Sequence, residues 1–163
     1  MAVAELAYRY PWPSLVRGHD DGRSEVLLAT SGGVPGASPA EHPFFFSGLL
    51  TDPAAAAQGM LACATIARSR YFTPGNVVAI LRDPVVTSSE DRLRFESFSS
   101  CCGVHARLDL LPAALADAPT ASGTTNVDFG DAMRAALGGA VLGGGATVGA
   151  PELPGPVVRY PSS

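Results

Sequence analysis

From Arg92 to Leu111 the chain reads RLRFESFSSCCGVHARLDLL. Apolar and polar residues alternate on both sides of a turn-like centre. Leu93 and Phe95 fall on one face, and Arg92, Arg94 and Glu96 on the other. After the turn, Val104, Ala106, Leu108 and Leu110 alternate with His105, Arg107 and Asp109. Successive strand side chains point to opposite faces, so a period of two marks a half-buried strand. Ser99-Ser100-Cys101-Cys102-Gly103 supplies the turn, and the stretch reads as a β-hairpin.

The two apolar faces must meet on one side of the sheet, because a one-residue slip inverts one of them. One register that satisfies this sets Phe95 opposite Ala106 and Leu93 opposite Leu108. On the polar face it sets Arg92 opposite Asp109 and Glu96 opposite His105. Opposite charges across strands are favourable, but this register leaves Arg94 facing Arg107, relieved only by diagonal Glu96 and Asp109. Residues 99–102 form its loop, with both cysteines at the tip, packed under a tight turn.

Cys101, Cys102 and His105 are the candidate metal ligands. Cys102-x-x-His105 has a ligand-like spacing, but a structural zinc site takes four ligands, usually as two separated pairs. Cys63 and His42 stand singly elsewhere in the chain. A nucleophilic cysteine with His105 as base and Glu96 as its orienting group would further need an oxyanion site. The sequence offers none, so no catalytic residue is assigned and no enzyme activity is expected. No cofactor is expected either, with zinc at the Cys101-Cys102 turn as the alternative.

Upstream, Thr51-Asp52-Pro53 is a helix start: Asp52 suits the cap and Pro53 the first helical position. The helix is expected to run to about Ser69. Its scarcity of polar residues makes it central and mostly buried, with Cys63 as a small apolar filler. Residues 24–30 and 84–87 read as strands, and 44–50 as a buried strand or extended segment. Residues 6–10 form a further short strand, and 73–81 a second helix or a strand. His19-Asp20-Asp21-Gly22 is a polar turn. Residues 31–42 form a loop; its glycines lack the Lys-Ser or Lys-Thr of a phosphate-binding loop.

Downstream, 112–115 reads as a short turn or helical cap and 116–122 as a loop. Residues 123–129 read as a strand with Val127 and Phe129 on one face. Residues 131–137 form a short helix ended by Gly138-Gly139. The Gly/Pro-rich remainder loses all periodicity. It is expected to be a poorly ordered tail, with 157–160 its only strand-like piece. The fold class is therefore α+β: a short antiparallel sheet with a central hairpin packed on one main helix, in a single domain over 1–137, followed by a flexible tail over 138–163.

The composition fits one domain. The chain has 163 residues, is 47 % hydrophobic and 16 % charged, and carries a net charge of −4. A dispersed acidic balance gives no footprint for a phosphate backbone, so the chain alone is not expected to bind nucleic acid. No apolar run reaches the roughly 20 residues that span a bilayer, so no membrane partner is expected. Three cysteines do not make a secreted disulfide framework, and the N-terminus lacks the pattern of a signal peptide. A cytoplasmic setting and an unidentified protein partner are the expectation.

The stretches DPVVTSSEDRLRFESFSSCCGVHARLDLLPAAL and GTTNVDFGDAMRAAL, with HPFFFSGLLTDP and ARSRYFTPGN before them, carry a family resemblance. From His42 to Leu137 the chain resembles the N-terminal region of actinobacterial SWIM zinc-finger family proteins, most sharply over Leu93–Pro112. An aromatic residue is usual in that family where this chain has His105. The family is named for a C-x-C…C-x-H motif, which is absent here, so the resemblance carries no zinc ligand to any residue of this chain. After MRAAL the family pattern continues into further strands. Here GGAVLGGGATVGAPELPGP follows, which reads as a truncated or frame-altered end. The resemblance implies a non-enzymatic binding or interaction module.

Overall fold

Asp52 caps the main helix as its residue type requires. Its carboxylate accepts from the Ala55 backbone N–H at 3.0 Å, and Pro53 occupies the first turn. A computed structural model of the chain describes residues 10, 12–20, 24–31, 34–35, 47–69, 83–116, 122–139 and 146–149. Helix α1 spans Pro53–Arg68 and buries Ala56, Ala57, Met60, Cys63, Ala64 and Ala67. The small side chains let sheet and helix approach closely: a Cβ on Gly59 would lie 2.8 Å from Leu108 Cδ1.

Two five-stranded sheets accompany this helix. The strands are β1 (Leu15–Gly18), β2 (Ser24–Leu27), β3 (Val34–Pro35), β4 (Ser47–Leu50), β5 (Val85–Ser89), β6 (Arg92–Phe98), β7 (His105–Leu110), β8 (Leu115–Ala116), β9 (Gly123–Asn126) and β10 (Ala146–Gly149). A second helix, α2, covers Asp131–Gly139. One sheet has the order β1-β2-β10-β4-β8, the other β3-β9-β5-β6-β7. Helix α1 packs on β6, β7 and α2, and α2 packs on β1. The fold is α+β, with the β6–β7 hairpin against the main helix.

One core joins the layers. Val26 and Leu50 from the first sheet, with Leu28 just after β2, meet Val86, Leu93, Phe95 and Leu110 from the second, with Met60 of α1 and Met133 and Leu137 of α2. Phe95 and Phe129 meet edge to face, with centroids 6.4 Å apart. Val127 and Phe129 are both fully buried, as their shared face predicts. The sheets are also stitched by backbone: Ser31 N–H donates to Asn126 C=O, and Asp128 N–H to Ala29 C=O, each at 3.0 Å.

Several expectations are corrected. The hairpin register is two residues from the expected one. Leu93 pairs with Leu110, Arg94 with Asp109, Phe95 with Leu108, Glu96 with Arg107, Ser97 with Ala106 and Phe98 with His105. The faces are those expected, since a shift of two keeps them. The observed register removes the Arg94/Arg107 opposition and sets Leu110 against Leu93 in the core. In the segment expected as tail, Ala146–Gly149 is a strand, parallel to β2 and antiparallel to β4. No alternation marks it, because four residues of small side chains give too short a period. Val34–Pro35 and Leu115–Ala116 pair as two-residue strands where loop was expected. Helix α2 continues through Gly138 and Gly139. The expected elements over 6–9, 44–46, 73–81 and 157–160 lie outside the described residues.

Candidate functional site

At the far end of the hairpin, Ser99 organises the turn. Its N–H donates to Val104 C=O at 2.9 Å, and its hydroxyl accepts from Val104 N–H at 3.0 Å. Cys102 N–H returns to Ser99 C=O at 2.8 Å. Cys102 has φ of 56°, a left-handed conformation that few non-glycine residues adopt and that tightens the bend. Cys101 and Cys102 both stand exposed at this tip, and neither forms a disulfide. The sequence places them at the tip correctly; their packing under the turn is corrected to solvent exposure. Cys101 Sγ lies 3.4 Å from Ser99 Oγ.

His105 turns away from the cysteines in its contacts. Its ring stacks on Phe98, with centroids 4.6 Å apart and planes 19° from parallel. Its Nε2 lies 3.2 Å from Glu96 Oε1. The His105–Glu96 contact expected from the sequence is therefore present, as a diagonal of the observed register. Among the described residues, no three His, Cys, Asp or Glu side chains gather as a metal centre requires. Cys101, Cys102 and His105 thus share one end of the hairpin without forming a ligand set there.

Along the same face runs a charge ladder. Arg94 grips Asp109 with two bonds, Nε at 2.6 Å and Nη2 at 3.2 Å, and Arg92 and Arg107 approach the same carboxylate at 3.5 and 3.4 Å. The Arg94 guanidinium, chiefly, holds the Asp109 carboxyl below the usual carboxylate range. At the opposite turn, Arg92 bonds to Asp91, and its hydrogen bonds bring that carboxyl down to about 2.

Beneath this face sits Cys63 of α1. Burial pushes its thiol up, and the thiol lies 3.7 Å from Phe95 C=O and beside the Leu108 N–H. The Ser99–Val104 bond marks 99/104 as a hydrogen-bonded pair of the ladder, and such pairs recur at every second residue, here 97/106, 95/108 and 93/110. The backbone groups of Ala106, Leu108 and Leu110 thus face β6. Those of His105, Arg107 and Asp109 face the outer edge of the sheet, where no further strand lies among the described residues.

Two surface features of the hairpin region escape the sequence reading. Phe98 and Leu111 are the most exposed large hydrophobic residues among those described, at 46 % and 48 %. Alternation would have put Phe98 on the polar face, which was the available signal.

Elsewhere, two polar clusters serve the fold. Asp83 accepts from Tyr10 O–H at 3.0 Å and Phe129 N–H at 3.2 Å, and burial raises its pKa. Asp128 accepts from Ser14 N–H at 2.7 Å and Gly130 N–H at 3.0 Å, while Arg68 reaches Phe129 C=O at 3.0 Å. Apart from the local Gly130–Asp128 turn bond, each bond of this knot ties residues distant in the chain. His19, expected in a solvated turn, lies 3.6 Å from buried Glu25, which also meets Arg17 at 3.6 Å. No helix among the described residues is long and apolar enough to cross a membrane. No family model, curated protein or solved structure matches this chain.

Proposed function

We propose that this chain is a non-enzymatic interaction module that docks a protein partner along the outer edge of β7. The observation that carries this reading is the edge itself. No strand covers it among the described residues, and it offers a row of backbone donors and acceptors at His105, Arg107 and Asp109, with exposed Leu111 following β7. Unpaired strand edges are templates for an added strand, and proteins that do not use them generally blunt them. The resemblance of 42–137 to the N-terminal region of SWIM zinc-finger family proteins supports the same kind of role. Amide exchange at high dilution tests the edge. Residues 105, 107 and 109 should exchange fast while 106, 108 and 110 exchange slowly. Slow exchange at all six would mean that the chain covers its own edge and would remove the reading.

A second reading, a small thiol-dependent site at the turn, is favoured by the exposure of Cys101 and Cys102. Two thiols should then titrate at once in the native protein, with Cys63 following only on unfolding. Zinc content that is zero in both the parent and Cys101→Ser/Cys102→Ser removes the metal form of this site.

A further inference from the structure

Resting on that open edge, we propose that its occupant is β7 of a second copy of this chain, paired antiparallel about a two-fold axis through Leu108. A two-fold interface brings one surface against itself, so a strand that pairs with its own copy must be self-complementary in one register. β7 reads His105-Ala106-Arg107-Leu108-Asp109-Leu110, and its outward backbone groups belong to the odd-numbered residues. Centring the pair on Leu108 sets Arg107 of each copy opposite Asp109 of the other. Centring it on Arg107 would face two guanidiniums, and centring it on Asp109 two carboxylates, both unfavourable. Of the registers centred near the middle of β7, the one on Leu108 alone sets opposite charges face to face.

That register also meets two observations that played no part in choosing it. It brings Leu111 of each copy opposite His105 of the other, whose ring already lies on Phe98. Leu111, the most exposed large hydrophobic residue described, is covered once at each end of the interface. On the inner face, Leu108 meets Leu108 and Ala106 meets Leu110. Leu108 and Ala106 are only partly buried in one copy, and a neighbouring strand extends the apolar layer over α1 past them. The product is one continuous ten-stranded sheet built from two copies of β3-β9-β5-β6-β7.

Sedimentation velocity of the full chain over a concentration series, read with amide exchange, tests the proposal. A concentration-dependent dimer is expected, with exchange at 105, 107 and 109 slowing as the dimer forms. Added salt should weaken it, because rim charges are screened. Arg107→Gln and Leu111→Ser should each raise the dimer Kd on the order of tenfold, since each change acts twice across the axis. Neither should shift the monomer Tm appreciably. A monomer at every concentration with fast edge exchange overturns the second copy but leaves the open edge standing. A monomer with slow edge exchange overturns both. A dimer indifferent to salt and to both substitutions also overturns the proposal, because it must form elsewhere.

Discussion

On one face of the β6–β7 hairpin, Leu93 and Phe95 are fully buried beneath α1, and Leu110 nearly so. On the other, Arg94, Glu96 and Asp109 are half-buried, and His105 and Arg107 are exposed. The same backbone holds both, so the difference is one of solvent alone. The inner face gains stability from area removed from water and from close packing. The outer face gains little from its ion pairs, because exposed pairs in high dielectric are worth about 0–1 kcal/mol. A stabilising face and a face free for contact can therefore occupy one hairpin, and changes on the two should have very different costs.

The sharpest separation should come from Phe95→Ala. It leaves a cavity between α1, β7 and Phe129, and should lower the unfolding free energy by about 3–5 kcal/mol in denaturant titration. A loss near that of an outer-face substitution would erase the contrast. Next comes Asp109→Asn, which breaks the grip of Arg94 and should cost about 0.5–1 kcal/mol.

The pH dependence carries the same contrast with its sign. Asp109 titrates below its unfolded value in the folded state. Its contribution is thus present above the unfolded pKa and lost as pH falls through the folded one. Asp109→Asn should flatten that acid limb. Asp83, raised by burial, has the reverse slope: it weakens the fold as pH rises through its folded pKa. An acid limb unchanged by Asp109→Asn would show that another carboxylate governs it. The smallest effect should be that of His105→Ala, within about 0.5 kcal/mol in the same titration, as for exposed surface changes. A loss of several times that would make the Phe98–His105–Glu96 cluster a structural element.

How far the sequence disclosed these faces follows from the same physics. Alternation located β6 and β7 and sorted their residues, because a half-buried strand writes its burial every second position. It left the register open by two, since a shift of two preserves both faces; the bidentate Arg94–Asp109 pair distinguishes the two registers only in three dimensions. Asp52 and Pro53 marked the helix start because capping is local. The turn cysteines were located by the same alternation, but their exposure depends on what packs against the turn, which no local pattern records. Two-residue strands and β10 are too short to show a period. That β7 stands last in its sheet among the described residues is invisible in sequence, because strand order is a property of topology.

The position of β10 has a consequence in time. Its partners β2 and β4 are complete early in synthesis, but β10 follows β2 by about 120 residues and lies between β2 and β4. Until it arrives, the β1–β2 hairpin and the β4–β8 pair have no strand between them. The second sheet, built mostly from the contiguous 85–126 segment with its local hairpin, closes shorter loops and should form first. Contacts distant in sequence slow folding, so the centre of the first sheet should be the late step. A nascent chain stalled before Ala146 should hold α1 against the hairpin while the first sheet still lacks its middle strand.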